Sequence, residues 1–241
     1  MNQMELFEET GNTAPEDANF ASYLMSESGA PPNLSELFEL SVDAYYAVIH
    51  ATMSGLPIKR EICRFIEKVL KAGRKAGHKA GDRAGAERAA SDRGDGDVLV
   101  VLKAAYKVTV EIHRLTGLLR FSPDSEGVYI AHCSPDYFIL PALAEHFTLR
   151  FGQTPWAIID EKRSLRLEGG GLQGENGAPA RLLPSSNQPT ETAGKETADS
   201  WEDLWRLYHH SVNNEARKNP RLQRQLMPER YHKYLPEMKK P

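Results

Sequence analysis

Hydrophobic residues recur at helical spacing along the first part of the chain, from Leu34 to Met53. Asn33, with Glu36 three residues later, has the pattern of a helix N-cap with its capping-box partner. A second apolar stripe predicts another helix over residues 57–72. Both stripes are typical of helix faces that pack in a core, so they predict a helical N-terminal part.

The pattern changes at residues 73–96, which are rich in Lys, Arg, Ala and Gly and contain no large apolar residue. This composition predicts a flexible excursion or a frayed helix. We interpret it as a tolerated insertion, and a basic loop that contacts nucleic acid is the alternative. A third helix is predicted from Val98 to about Thr116, capped by Asp97. Apolar residues alternate from 108 to 112 as in a strand, but the length of the segment favours a helix.

Four short strands are predicted further along the chain. Leu118–Phe121 and Val128–His132 flank a turn-rich segment that is typical of a hairpin. A helix that begins near Pro141 separates them from Trp156–Asp160 and Ser164–Leu167. This pattern predicts a small antiparallel sheet with one covering helix.

Residues 169–199 are rich in Gly, Pro, Ser, Thr and Glu and have no packing pattern, so they predict a linker or a second insertion. Ser200 then caps a predicted helix, and a short basic helix from Glu215 is interrupted near Pro220. We expect these C-terminal helices to pack back on the sheet. The apolar face of the first one consists of Trp201, Leu204, Trp205, Tyr208 and Val212.

The predicted fold class is therefore α+β, with a helical N-terminal part, a small antiparallel sheet with a covering helix, and C-terminal helices packing back. A disordered acidic leader is predicted over residues 1–32. An α+β domain follows over 33–168, with the low-complexity insertion at 73–96. After the linker at 169–199, the basic helices of 200–241 complete the same domain.

Composition narrows the class of protein. The 241 residues are 40% hydrophobic and 26% charged, which suits one domain with a sizeable core. The longest aliphatic run, Val98–Leu102, is far shorter than the roughly 20 residues of a membrane span. Two cysteines, Cys63 and Cys133, are too few for a disulfide framework, a four-cysteine zinc site or an iron–sulfur cluster. We expect a cytoplasmic protein that has no membrane contact, no metal and no cofactor.

Charge is distributed unevenly along the chain. Nine of the 33 acidic residues precede Lys59, the first basic residue, so 30 basic residues stand against 24 acidic ones from Lys59 onward. Nine basic and only three acidic residues lie between Arg206 and the last residue. A basic C-terminal segment of this kind has two interpretations: a positively charged surface that binds phosphate groups, or an ordinary helix face exposed to solvent.

Candidate chemistry is sparse. Neither His132 beside Cys133 nor the adjacent pair His209 and His210 has a normal metal-ligand spacing. An acid–base site could form if His113 met Asp136 or His146 in space; a structural, hydrogen-bonded histidine is the alternative we favour. Arginines beside the predicted sheet elements would make an anion site if they converged. They are Arg114, Arg120, Arg150 and Arg163.

An ordered set of segments in this sequence resembles a bacterial family of DNA-metabolism, or DNA-repair, proteins whose defining domain has no established function. The resemblance covers roughly 98–168 and 200–240, with a looser match over the N-terminal helices. The segments that carry it are Glu111–Phe121, Gly127–Ala131, Ser134–Asp136, Leu143–Phe147, Arg150, Phe151, Trp156–Asp160, Leu204, Trp205, Tyr208, Ala216, Arg217, Asn219, Pro220, Gln223, Met227, Pro228, Arg230, Tyr231 and Leu235–Glu237.

The resemblance implies a partner. Members of this family are typically encoded beside a radical-SAM protein with a DNA-binding-type helix-hairpin-helix, and some are fused to a uracil-DNA glycosylase-like domain. This chain departs from the family in its acidic leader, in its two insertion-like segments and in having no attached glycosylase domain. Its two cysteines exclude the radical-SAM cluster motif, so a partner would have to supply any radical chemistry.

Three functions are compatible with these observations. The first is an accessory protein of DNA repair or modification that binds DNA and docks onto a radical-SAM enzyme. The second is an enzyme acting on a damaged base or nucleotide, with His113, Asp136 and His146 transferring protons. The third is a structural adaptor without nucleic-acid contact. In the first case, the residues expected to bind nucleic acid are Arg114, Arg120, Arg150, Trp156, Arg217, Arg230 and Tyr231.

Overall fold

The computed structural model describes residues 34–74, 82–170, 180–185 and 195–238, with side chains described outside 195–202 and 215. The predicted leader, residues 75–81 of the first low-complexity stretch and most of the predicted linker lie outside the described residues. The chain divides into two compact units, residues 1–108 and residues 109–241. The α+β fold class is confirmed, because along the chain helices precede and follow the strands of a five-stranded sheet.

The first unit is helical. Helices α1 (Leu34–Leu40), α2 (Val42–Met53), α3 (Lys59–Arg74) and α4 (Arg83–Ser91) lie in it, together with the first part of α5 (Gly96–Leu118). A single helix was predicted across α1 and α2. It is interrupted at Ser41, whose extended backbone lets its hydroxyl accept from the Ala44 amide at 3.2 Å.

Helix α4 corrects the prediction for residues 73–96. Ala86 and Ala90 are buried in the core of the first unit, so this part of the low-complexity stretch packs rather than forming an excursion. Asp82 caps the helix by accepting from the Gly85 amide at 2.8 Å. Alanine methyl groups suffice to bury a helix face where two helices approach closely, which a search for large apolar residues overlooks.

Helix α5 is confirmed as a helix, and it begins at Gly96. Its start is capped by Asp95 rather than by the predicted Asp97, because Oδ1 of Asp95 accepts from the amides of Asp97 at 2.9 Å and Val98 at 3.2 Å. Lys68 donates to both carboxylates, which ties α3 to this helix start.

The second unit is built on a mixed sheet with strand order β1-β2-β3-β4-β5. The strands are β1 (Ser122–Pro123), β2 (Tyr129–Cys133), β3 (Trp156–Asp160), β4 (Leu165–Gly169) and β5 (Arg181–Pro184). Neighbouring strands pair antiparallel except β2 and β3, which are parallel.

The expectation of a purely antiparallel sheet is therefore corrected. Helix α6 (Leu140–Phe151) connects β2 to β3, and such a crossover returns the chain in its original direction. Strand β5 was not predicted, since it is short and lies within the segment expected to be a linker. Strand β3 matches its predicted bounds, and all five of its residues are buried.

The core of this unit lies between α6 and the sheet, where Phe147 and Trp156 are both fully buried with ring centroids 6.0 Å apart. Gly169 permits this packing, because a Cβ atom there would lie 2.6 Å from Cζ2 of Trp156. Phe121 and Phe151 extend the aromatic cluster.

Beyond the sheet lie α7 (Lys195–Val212), a 3₁₀ turn (Glu215–Arg217), α8 (Pro220–Leu226) and two further 3₁₀ turns, Glu229–Tyr234 and Pro236–Met238. Pro220 begins α8 instead of interrupting a helix, because the preceding Asn219 caps it and a proline needs no amide partner in the first turn.

Candidate functional site

The parallel pairing of β2 and β3 brings their carboxyl ends to the same edge of the sheet. The loop after β2, residues 134–139, and the turn after β3, residues 161–164, lie at this edge. In open α/β sheets this is the edge at which ligands bind, so its side chains are the first candidates for a site.

A buried carboxylate from α5 organises the loop after β2. Glu111 is 1% exposed and accepts from the amides of Asp136 and Tyr137, both at 2.9 Å. It also accepts from Oη of Tyr231 at 2.5 Å and from Nη2 of Arg230 at 3.1 Å. Four donors therefore compensate its charge, as a buried carboxylate requires.

The two side chains that donate to Glu111, those of Arg230 and Tyr231, belong to residues 228–238, which we call the C-terminal strap. Arg230 also forms an ion pair with Asp136 at 2.8 Å, and its guanidinium lies 4.7 Å from the ring centroid of Tyr231. Burial raises the pKa of Tyr231, and its hydrogen bond to Glu111 raises it further, so this phenol stays protonated.

A second buried carboxylate fixes the turn after β3. Asp160 is fully buried and pairs with Arg163 at 2.8 Å, while its other oxygen accepts from the Lys162 amide at 2.9 Å. Arg163 also donates to the carbonyls of Pro135 and Asp136, at 3.1 and 2.8 Å. The turn after β3 is thereby joined to the loop after β2.

Glu161 holds the middle of the strap, since it accepts from Tyr234 at 2.6 Å and from Lys233 at 3.0 Å. Nδ1 of His132 lies 3.4 Å from its other oxygen. Burial raises the pKa of Glu161, but the hydrogen bonds from Tyr234 and Lys233 outweigh it, so the net pKa is below its usual value. Burial and the bond to Glu161 raise the pKa of Tyr234 to about 12.

Glu237 fixes the end of the strap. Its carboxylate, 2% exposed, accepts from Arg120 at 2.6 Å and from Nε1 of Trp205 at 2.8 Å. The Arg120 guanidinium lies 4.8 Å from the Trp205 ring centroid. Burial raises the pKa of Glu237, but the hydrogen bonds from Arg120, the backbone and Trp205 and the charge of Arg120 together outweigh it, so the net pKa is below its usual value.

Several residues expected to bind nucleic acid are thus engaged inside the second unit. Trp156 is fully buried and Tyr231 is 1% exposed, so neither offers a ring face to a base, which corrects both predictions. Arg120 and Arg230 are paired with carboxylates. Arg114 donates to the carbonyl of Gln225 at 3.1 Å.

The proposed acid–base residues are not brought together by any described hydrogen bond or ion pair. His113 and His146 are exposed on α5 and α6, and the Asp136 carboxylate pairs with Arg230. Burial, followed by the charge of Arg150, lowers the pKa of His146. Their joint role in catalysis stays a prediction that the described contacts do not support.

Exposed arginines remain on the segment between α7 and the strap. Arg217, Arg221 and Arg224 are exposed, and none pairs with a carboxylate among the described side chains. Arg150 on α6 is likewise exposed and forms no ion pair with a carboxylate among the described side chains. Arg217 and Arg150 were predicted contacts; Arg221 and Arg224 were missed individually, although the excess of basic residues in the tail was the signal for them.

Comparison with known proteins gives one result. The family model described as a domain of unknown function, DUF4130, matches residues 59–237, which is more than half of the chain. This chain belongs to the DUF4130 family. No curated protein and no solved structure matches it significantly. The matched region includes the Glu111 network and nearly all of the strap, so both lie within the DUF4130 domain.

The carboxylates of the DUF4130 domain that hold the strap were not predicted as a site. Glu111 and Glu237 belong to the segments that carry the family resemblance, and that was the available signal. Their partners lie far away in the sequence; Tyr231 is 120 residues from Glu111. Pattern reasoning about neighbouring residues does not reach across such separations.

The Cys133 thiol, at the carboxyl end of β2 in this DUF4130 chain, is not an activated nucleophile. Burial raises the pKa of the Cys133 thiol, and the nearby carboxylates of Asp160 and Glu161 raise it further. In the described part of the chain, no group of three or more His, Cys, Asp or Glu side chains could hold a metal ion. None of the described helices is long and apolar enough to cross a membrane.

Helix α7 departs from the prediction in its orientation. Of the face expected to pack back, Trp205 is partly covered, but Leu204, Tyr208 and Val212 are 56%, 55% and 58% exposed. Leu207, on the same side, is 68% exposed. Trp201 lies among the side chains outside the described set. Among the described residues, this chain therefore leaves an apolar stripe of α7 uncovered.

Proposed function

We propose that this chain is an accessory protein of DNA repair or modification that binds nucleic acid through exposed arginines and works with a partner enzyme. The family resemblance names that partner as a radical-SAM protein. The supporting observation is the set of three exposed arginines, Arg217, Arg221 and Arg224, that no described carboxylate neutralises. Guanidinium groups of this kind make charge-assisted contacts with phosphate oxygens.

The geometry of the segment suits a backbone contact rather than a base contact. Arg221 and Arg224 are three residues apart on α8 and so lie on neighbouring positions of its surface. Arg217 lies in the 3₁₀ turn just before that helix. The two aromatic residues proposed for base stacking are buried, so we expect binding with little sequence preference.

The test is a fluorescence-anisotropy titration of labelled single-stranded and duplex DNA at several salt concentrations. Three phosphate contacts predict a slope of log K against log salt of about −2 for single strands. Replacing Arg217, Arg221 and Arg224 together by alanine should abolish most of this dependence.

The matched control replaces three exposed arginines of the first unit, Arg60, Arg83 and Arg88, by alanine, which removes the same charge. This control should bind nearly as the unchanged protein does. Failure of the unchanged protein to bind either DNA at low salt would refute the proposal and select the structural adaptor. Equal loss in both triple variants would show that only net charge matters.

The adaptor without nucleic-acid contact is the second candidate. The observation that favours it is that Arg120 pairs with Glu237, and Arg230 pairs with Glu111 and Asp136. An arginine whose charge is neutralised by a carboxylate of its own unit contributes little to the attraction of phosphate. Both candidates require a partner protein, so they differ only in the DNA titration.

A further inference from the structure

The apolar stripe of α7 consists of Leu204, Leu207, Tyr208 and Val212, which are more than half exposed and follow helical spacing. Trp205, beside the stripe, faces the rest of the second unit, where its Nε1 donates a hydrogen bond to Glu237. The helix is therefore anchored on one side and uncovered on the other among the described residues. Folded domains seldom leave a contiguous apolar stripe of this kind to water unless it binds something.

The charges beside the stripe indicate the class of its ligand. Asp203 and Arg206, one turn apart on α7, pair with each other at 2.8 Å. The helix surface next to the stripe therefore has no net positive charge from this pair. Nucleic acid and anionic membranes select apolar helices that are lined with unpaired cations, so the stripe suits neither.

The size of the stripe argues against a second copy of this chain. A stable assembly covers about 800 Å² on each partner. Four side chains that are each about half exposed supply roughly half of that area, given that even large aromatic residues bury only about 150–250 Å². Two such helices meeting face to face would cover too little. A groove encloses a helix on both flanks and adds the missing area.

From these observations we infer that α7 docks into an uncharged apolar groove of a different protein. This is the recognition mode in which the apolar face of a helix supplies anchors at successive turns. Leu207 and Tyr208 are the central anchors, with Leu204 and Val212 at the two ends. The inference rests on the proposed function in one respect: the partner is the enzyme that this accessory protein serves.

The experiment uses the full chain in its native cells, with a photo-crosslinking amino acid at position 207 or, as control, at position 210. His210 is exposed but lies off the stripe. Crosslinked peptides are identified by mass spectrometry. The partner so identified is then purified, and its affinity for the unchanged chain, L207E and H210E is measured by calorimetry, together with the DNA affinity of each.

We expect crosslinks from position 207 to peptides that line one groove of a single partner, and few from position 210. L207E should weaken partner binding by at least about 30-fold, the effect of losing a central anchor, while H210E changes it little. Crosslinks to a second copy, to another part of the same chain or to nucleic acid would overturn the inference, as would their absence. Because L207E leaves Arg217, Arg221 and Arg224 in place, loss of partner binding with retained DNA binding separates the two proposals.

Discussion

Replacing Glu111 by alanine is the sharpest test of the network that holds the strap. Truncation leaves the Tyr231 hydroxyl buried without an acceptor and also frees the amides of Asp136 and Tyr137. An unsatisfied buried donor costs about 1–3 kcal/mol, and removing one partner of a buried charge pair costs about 3–5 kcal/mol. These costs overlap, because Arg230 keeps its ion pair with Asp136. We therefore expect the free energy of unfolding of the second unit to fall by about 3–5 kcal/mol.

Urea unfolding followed by tryptophan fluorescence measures this loss. All three tryptophans, at positions 156, 201 and 205, lie in the second unit, so the signal reports that unit. Glu145 is a matched control, since it is exposed on α6 and has no described partner; E145A should change the free energy of unfolding by less than about 0.5 kcal/mol.

A second variant tests whether the effect passes through the strap. Y231F keeps the ring but removes the hydroxyl, so it should cost about 1 kcal/mol or more, and combining it with E111A should add much less than that. If E111A lost under about 1 kcal/mol, or if the two losses simply added, the network would not stabilise the strap and the reasoning would fail.

Three other substitutions probe the packing and the charges. G169A should destabilise the second unit by about 1–3 kcal/mol in the same urea assay, because its new methyl group would meet the buried Trp156 ring, whereas a neutral result would contradict that packing. The lowered pKa of Glu237 implies stabilisation that is complete above the ordinary pKa of 4.5 and is lost as the pH falls through the lowered folded value. E237Q, which cannot ionise beside Arg120, should thus be less stable at neutral pH and lose less on acidification to about pH 3 than the unchanged protein; parallel pH profiles would refute this. A86L should destabilise the first unit by about 1–3 kcal/mol in thermal unfolding followed by circular dichroism, and tolerance would mean that α4 is not packed as described.

The sequence allowed the well-patterned elements to be predicted. Strand Trp156–Asp160 is a short run of apolar residues between turn signals, and it lies where expected because such a run is stable only in the centre of a sheet. Strand β5 has little apolar patterning, and its pairing with β4 supplies the stabilisation that its own sequence lacks.

The site could be predicted only in part. The arginines at 120 and 230 were recognised as functional candidates, but their carboxylate partners could not be, since Arg120 pairs with a residue 117 positions away. The stripe on α7 shows the converse problem. The helical spacing of its apolar residues predicts that this face of α7 is buried against something. The sequence of one chain does not tell whether the face is buried against the chain's own sheet or against another protein.

The Glu111–Tyr231 contact has a consequence for synthesis on the ribosome. Glu111 is synthesised 120 residues before Tyr231, whose hydroxyl is one of its hydrogen-bond donors. Asp160, in contrast, is followed after only three residues by its partner Arg163. Contacts between distant residues form slowly because a long loop must close first. The helices of the first unit and the turn after β3 can therefore form early, whereas the edge of the sheet keeps a hydrated carboxylate until translation reaches the strap.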